Sequence, residues 1–285
     1  MLFRSPPQKL ALVQALQAQG ETVAVTGDGV NDVPALQRAD IGIAMGERGT
    51  RSAREVAPMV LLDDNFRTIV DAVAEGRQLF RNLQLAFAYL LLVHLPLVIG
   101  AAAIPLMDLP LLFLPIHIVW LELVIHPTAM LAFQDLPLAG PLAPVRRDRQ
   151  ARFFAADAWL FIVLAGAIAS VAVVWSYLHA LGVDRDVEHA RAMALSVLLA
   201  ASAGVTTGLT RLREAAARWL VVATLASVGA FVQVPLLSRM LNLRPLHAVD
   251  WVLVATAFAA SVAITLSLAP RLNRTRPTGL AAQDR

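Results

Sequence analysis

The stretch Thr26-Gly27-Asp28-Gly29-Val30-Asn31-Asp32-Val33-Pro34 puts two carboxylates and two glycines into one short turn. Gly27 and Gly29 let the backbone bend sharply and come close to a phosphate. Asp28 and Asp32 supply the hard oxygen ligands that Mg²⁺ requires. A β-branched run at 22–26 precedes the turn and a helix from about 34 to 38 follows it. The turn therefore lies at the carboxyl end of a strand, where parallel α/β sheets hold their ligands. On residue types and position, this is a Mg²⁺-phosphate site.

A second group of ionisable residues lies where charge is costly. His94, His117, Glu122 and His126 fall inside long apolar runs, and an ionisable side chain within a membrane span is a functional candidate by default. Glu122 and His126 are four residues apart and share one helix face. Pro96 and Pro127 release backbone carbonyls from helix bonding, and such carbonyls serve as cation ligands where they face a protein cavity. Glu122 is the first candidate for a transported-cation site, followed by His126 and His94. His117 lies nearer the outer end of its run and is expected at the interface.

The phosphate turn needs a scaffold. Leu10, Leu12, Val13 and Leu16 mark a short amphipathic helix opened by prolines and stopped at Gly20. Ile41-Gly42-Ile43-Ala44-Met45 and Val60-Leu61-Leu62 read as two further buried strands, with a helix at 50–56 between them. Strands alternating with helices imply a parallel sheet. With about three strands, at least one sheet edge lacks its normal neighbour, so the region reads as part of a domain.

The rest of the chain must meet lipid. Hydrophobic residues make up 58% of the 285, only 16% are charged, and the mean hydropathy is +0.63. Six apolar runs, at about 83–104, 111–133, 158–181, 192–210, 219–238 and 250–270, are each close to the roughly 20 residues of a membrane-spanning helix. The first continues a stalk helix at 66–82. The net charge of +3 does not point to nucleic acid, because the arginines cluster at span ends. Arg146, Arg147, Arg149 and Arg152 follow the second span, Arg211, Arg213 and Arg218 the fourth, and Arg271, Arg274 and Arg276 the sixth. The positive-inside rule then makes a multi-pass cell-membrane protein whose soluble part and C-terminal tail, 271–285, are cytoplasmic. Trp159, Trp219 and Trp251 sit near span ends, where they either anchor at the interface or pack between helices. The absence of cysteine excludes thiolate ligands. No apolar run of signal-peptide length opens the chain, so a later span is expected to direct insertion.

The turn resembles the TGDGxND-x-PAL signature of P-type ATPases, a branch of the haloacid dehalogenase-like phosphotransferases, at every fixed position. Pro7-Gln8-Lys9 is similar to the family segment whose lysine contacts the phosphorylated aspartate. Residues 39–46 match the next strand and turn, and Asp64-Asn65-Phe66 with Glu75-Gly76-Arg77 resemble the stalk. The resemblance implies that Asp28 coordinates Mg²⁺ with Asp32 in support, that Thr26, Gly27 and Asn31 position the phosphoryl group, and that Lys9, the sole lysine, neutralises its charge. It also implies that ATP is bound mainly by a separate nucleotide-binding domain. The family's ion site lies between the first two spans found here and a helix outside this chain. Glu122 and His126 stand where calcium and sodium pumps usually carry asparagine and aspartate, and Leu97 where calcium pumps often carry glutamate.

The expected fold is thus a partial haloacid dehalogenase-like α/β sheet, residues 1–65, followed by the stalk and an all-α bundle of six transmembrane helices over 83–270. The nucleophile, expected in an Asp-Lys-Thr-Gly-Thr sequence, is not found in this chain, which alone is expected to be inactive. The leading reading is the C-terminal fragment or half of an ATP-driven cation pump, partnered by the N-terminal half in cis or in trans. A second reading keeps the Mg²⁺-phosphate loop in a non-catalytic membrane protein, a relic or a regulatory subunit. A phosphatase remnant fused to an unrelated bundle is disfavoured, because family-like residues continue across the stalk junction.

Overall fold

The computed structural model describes residues 5–134, 136 and 153–268. They fall into two compact units that part between Arg77 and Gln78. Arg146, Arg147, Arg149, Arg152, Arg271, Arg274 and Arg276, together with the tail at 271–285, lie outside the described residues.

The first unit is built on three parallel strands, β1 (Ala24–Gly27), β2 (Ile41–Met45) and β3 (Met59–Leu61), in that spatial order. Around them stand α1 (Pro6–Ala18), a 3₁₀ turn (Val30–Asp32), α2 (Val33–Arg38) and α3 (Arg51–Val56). Two prolines open α1, where a missing N–H costs nothing. Gly20, with φ of 80°, follows its end. Val13 of α1 packs with Val23 and Ala35, and Leu36, Ala44 and Ala53 form an adjoining cluster. Ile43, Met45 and Leu61 form a further cluster, joined by Ile69. The helix is less amphipathic in place than its sequence suggests: only Val13 is buried, and Leu12 is exposed. The outer strands β1 and β3 each present an edge with no described strand beside it. Met59 and Val60 on β3 are likewise exposed.

Helix α4 (Phe66–Leu106) runs unbroken for 41 residues despite Pro96 and Pro105, a length of about 60 Å at 1.5 Å per residue. The bundle continues with α5 (Pro115–Leu131), α6 (Ala156–Asp184), α7 (Val187–Thr210), α8 (Ala215–Gln233), the short α9 (Pro235–Met240) and α10 (Asp250–Leu268). Five of these helices are long and apolar enough to cross a membrane, and α5 is a shorter sixth of 17 residues. That is about 25 Å against a hydrocarbon core of about 30 Å.

The second expected span is trimmed at its start because Leu114 is extended and Pro115 occupies the first helical position, which sets the helix start there. Likewise the fifth expected span, 219–238, ends as α8 at Gln233. Pro235 holds Val234 in an extended conformation and starts α9. Trp159 and Trp219 are exposed on α6 and α8, whereas Trp251 packs against the bundle core.

Helix α7 is the centre of the bundle: 83% of its apolar window is buried, against 11% for α10. Small side chains let α10 approach it closely. A Cβ at Gly204 would stand 2.6 Å from the Phe258 carbonyl oxygen, and one at Gly208 2.5 Å from Thr265 Cβ. Glycines four apart on one helix face are a recurrent device for close helix packing in lipid, where burial in apolar surroundings gives no drive for association. Ser196, Ser202 and Thr206 are buried on the same helix, and their hydroxyls donate to its own carbonyls at Ala192, Leu199 and Ser202.

Gly204→Leu is expected to destabilise the bundle by about 1–3 kcal/mol through overpacking. Gly229→Leu, at a site with no atom within 4 Å of the added carbon, is expected to leave it unchanged. Thermal unfolding of the purified chain in one detergent compares the two.

Candidate functional site

The phosphate-type turn leaves β1 at Gly27 and re-enters regular structure in the 3₁₀ turn at Val30–Asp32. Asp32 organises it. Its Oδ2 accepts the backbone N–H groups of Asp28 and Gly29, both at 3.3 Å, and its Oδ1 pairs with the Lys9 ammonium. Only 7% of Asp32 is exposed. Gly27 is required by this packing, since a Cβ there would lie 2.5 Å from Asp32 Cβ. The Asp28 carbonyl oxygen accepts the Thr50 N–H at 2.7 Å, tying the turn to the loop that follows β2.

Burial works to raise the Asp32 pKa. The hydrogen bond and charge of Lys9 and the amides of Gly29 and Asp28 outweigh it and hold the carboxyl below its ordinary value. Asp32 is therefore ionised at neutral pH and holds three donors. Asp28 is exposed, and its carboxylate engages no described residue. Thr26 is half-buried at the end of β1, and Asn31 is exposed in the 3₁₀ turn. All six expected residues thus meet at one loop. A free carboxylate on a rigid turn fits a hard cation such as Mg²⁺.

Two further acids hold the surrounding backbone. Asp64, just after β3, takes the N–H groups of Glu47 and Arg48 at 3.1 and 2.8 Å and the Arg48 guanidinium at 3.2 Å. Asp40 receives the Val23 N–H at 2.8 Å. Asp64 has φ of 48°, a left-handed conformation that Asp tolerates better than most residues. An aspartate directly behind a strand was the available sequence signal for this role.

In the bundle, α4 and α5 bring together the three ionisable residues expected there. His126 Nδ1 lies 2.6 Å from Glu122 Oε2 along α5, and His94 Nε2 on α4 lies 3.7 Å from Glu122 Oε1. The two imidazole centroids are 6.2 Å apart. His94 Nδ1 is 2.8 Å from the Leu90 carbonyl oxygen, a contact that requires the proton on Nδ1. In neutral His94 the nitrogen facing Glu122 then carries a lone pair.

His117, expected near the membrane interface, lies in the first turn of α5. It is completely buried. Its Nδ1 accepts the Leu114 N–H at 3.1 Å, so its Nε2 carries the proton donated to the Leu241 carbonyl oxygen at 2.6 Å. It joins the start of α5 to the end of α9. The sequence separation of 124 residues hid that partner.

Comparison with known proteins decides the family. Residues 110–270 match the model of the cation transporting ATPase C-terminus, and residues 9–73 match that of haloacid dehalogenase-like hydrolases. The chain belongs to the P-type cation-transporting ATPases. It is 35% identical over 294 aligned positions to the probable cation-transporting ATPase F of Mycobacterium tuberculosis, covering 96% of this chain and 32% of that protein. It is 39% identical over 173 positions to the endoplasmic reticulum-type calcium-transporting ATPase 2 of Arabidopsis thaliana, covering 59% of this chain and 16% of the relative. With the sodium/potassium-transporting ATPase subunit alpha-A of Artemia franciscana the identity is 44% over 147 positions, covering 51% and 14%. The chain spans about a third of the length of the mycobacterial ATPase.

The depressed Asp32 carboxyl implies a pH dependence for this chain. Its folded pKa lies below the unfolded value of 3.8, so its contribution is present above that value and is lost as pH falls through the folded pKa. Asp32→Asn is expected to destabilise the loop by about 1–3 kcal/mol at neutral pH. The gap to wild type should close in acid, below pH 3.8. Hydrogen exchange of residues 24–32 in the full chain, corrected for intrinsic rates, measures both arms.

Proposed function

We propose that the chain is the carboxyl-terminal part of an ATP-driven pump that moves a cation across the cell membrane. One observation carries the reading. Of the two acids in the turn, Asp32 is satisfied by Lys9 and two amides, while Asp28 is left exposed on the backbone they fix.

In this proposal Asp28 holds Mg²⁺, with Asp32 in support. The ion, when bound, neutralises charge on the oxygens of a transferring phosphoryl group. Thr26, Gly27 and Asn31 line the approach and position that group. Lys9 acts through its pair with Asp32, adding positive charge beside the turn without being its only partner. No Asp-Lys-Thr-Gly-Thr sequence occurs in the chain. The phosphorylated aspartate and the main ATP-binding surface therefore belong to polypeptide outside these 285 residues. That polypeptide is the partner N-terminal half.

Glu122, His94 and His126 form the proposed transport site. Glu122 Oε1 and His94 Nε2 face each other at 3.7 Å, and two lone-pair atoms attract only if a proton or a metal cation lies between them. Proline at 96 and 127 adds carbonyl acceptors nearby, because each proline withdraws one backbone donor from its helix. The arginines at 211 and 213, between α7 and α8, and Arg218, in the first turn of α8, are taken to mark the cytoplasmic end of the bundle. Helix α4 carries residues of both regions and is the proposed link between them.

The test uses the complete pump. Glu122→Gln is expected to abolish cation-stimulated phosphorylation while sparing phosphorylation by inorganic phosphate. Asp28→Asn is expected to lower both by about 10²–10³-fold, the scale on which lost charge stabilisation slows such reactions. Unchanged cation stimulation in Glu122→Gln would remove that residue from the transport site, and unchanged phosphorylation in Asp28→Asn would remove Mg²⁺ from the turn.

A further inference from the structure

At the end of the bundle where α6 meets α7 and α9 leads to α10, two histidines and an aspartate converge from separate parts of the chain. His189 lies in the first turn of α7, His247 in the connection before α10, and Asp250 at the first residue of α10. Asp250 Oδ2 is 3.4 Å from His189 Nε2 and 3.3 Å from His247 Nδ1. One ligand atom from each residue lies within 4.8 Å of the other two. The imidazole centroids are 4.9 Å apart.

We propose that these three side chains form a resident site for a borderline divalent transition metal of the Zn²⁺ class, separate from the transport site. Distances and donor chemistry agree. Zn–N and Zn–O bonds of about 2.0–2.1 Å in a tetrahedron put neighbouring ligand atoms about 3.3 Å apart, which matches both separations from Asp250, while the two imidazole nitrogens lie within 4.8 Å of each other. Two imidazoles and one carboxylate favour Zn²⁺ over Mg²⁺ or Ca²⁺, which take oxygen. Three protein ligands leave a fourth position for water.

The backbone holds the ligands in place. Asp250 Oδ2 also accepts the His247 backbone N–H at 2.8 Å, which orients the carboxylate and leaves a second lone pair on that oxygen. The connection carrying His247 is fastened at three points. Arg244 Nη1 pairs with Asp186 Oδ2 at 2.5 Å, the Gln233 amide donates to the Leu246 carbonyl at 2.9 Å, and the Leu243 N–H donates to the Ser238 carbonyl at 2.8 Å. Leu243 and Leu246 are buried. His189 has a side chain only 5% exposed, while that of His247 is 71% exposed, so an ion can enter past His247 and complete its shell against an ordered wall. A metal there would join the connection before α10 to the start of α7, the most buried helix of the bundle.

The experiment is calorimetric titration of the purified, chelator-stripped full chain in detergent with ZnCl₂ alone. It is repeated with Co²⁺, whose visible absorption reports a tetrahedral site. The expected result is saturable binding that includes one Zn²⁺ weakened at least tenfold by His247→Ala and by Asp250→Asn, with the tetrahedral Co²⁺ absorption lost in both. His247 is exposed, so its replacement tests the site even if His189→Ala fails to fold. Absence of saturable Zn²⁺ binding overturns the proposal. So does binding that survives His247→Ala and disappears in His126→Ala, which would place the ion at the α4–α5 cluster. Metal binding is read directly, so failure here leaves the pump reading standing, and failure of the pump reading leaves this site standing.

Discussion

A carboxylate whose oxygens already hold donors is a poor metal ligand, and the first unit turns on that constraint. Asp32 accepts from Lys9 and from the amides of Asp28 and Gly29. These interactions hold it ionised against the cost of burial. They also set the backbone from which Asp28 projects, since two of the three donors are the amides of Asp28 and its neighbour. Substitution at Gly27 would press on Asp32 itself. The two acids in the turn are therefore not interchangeable: one is the internal brace of the loop and the other is left exposed on it.

The bundle obeys a different constraint. Between lipid-facing helices the apolar effect contributes little, so close approach and satisfied polar groups must do the organising. Gly204 and Gly208 admit α10 against α7, and serines and threonines on α7 return their hydroxyls to their own helix. His117 and Gln233 add bonds between elements, each from a side chain to a backbone carbonyl. No buried carboxylate or amine enters this part of the core among the described residues. The buried serines and threonines of α7 are thus accounted for within their own helix, and the Glu122, His94 and His126 group and the Asp250, His189 and His247 group stand apart from them.

Local pattern made much of this legible. The apolar run at 41–45 is β2, and the loop between β1 and α2 could be placed from two glycines and a following proline; the run at 60–62, expected as a buried strand, overlaps β3 only at Val60 and Leu61, and of the three only Leu61 is buried. The pair Glu122 and His126 followed from helical spacing alone. What escaped depended on partners far along the chain or on breaks that hydropathy does not register. Pro115 and Pro235 shortened two expected spans because a proline redirects the residue before it, although the apolar run continues past. Leu12 fitted the helical stripe of α1 but had nothing to pack on. His117 fell inside an apolar run, whereas nothing in the sequence singled out His189 or His247, and only tertiary contacts show that the first bonds a distant carbonyl and the other two share an aspartate.

The two histidine–carboxylate clusters differ in a way that would suit one to passage of a cation and the other to its residence. Around Glu122 the side chains are one third to three fifths exposed, and the longer gap, 3.7 Å, spans two helices. A cation there would gain ligands that can separate if α4 and α5 shift against each other, as release requires. Around Asp250 both gaps are within 0.1 Å of one another, the carboxylate is fixed by a backbone amide, and the inner histidine is nearly buried. Ligands set by the backbone lose little freedom on binding and do not readily let go. The same pairing of imidazole and carboxylate would therefore serve opposite ends, and the difference lies in how firmly the surrounding chain holds the carboxylate.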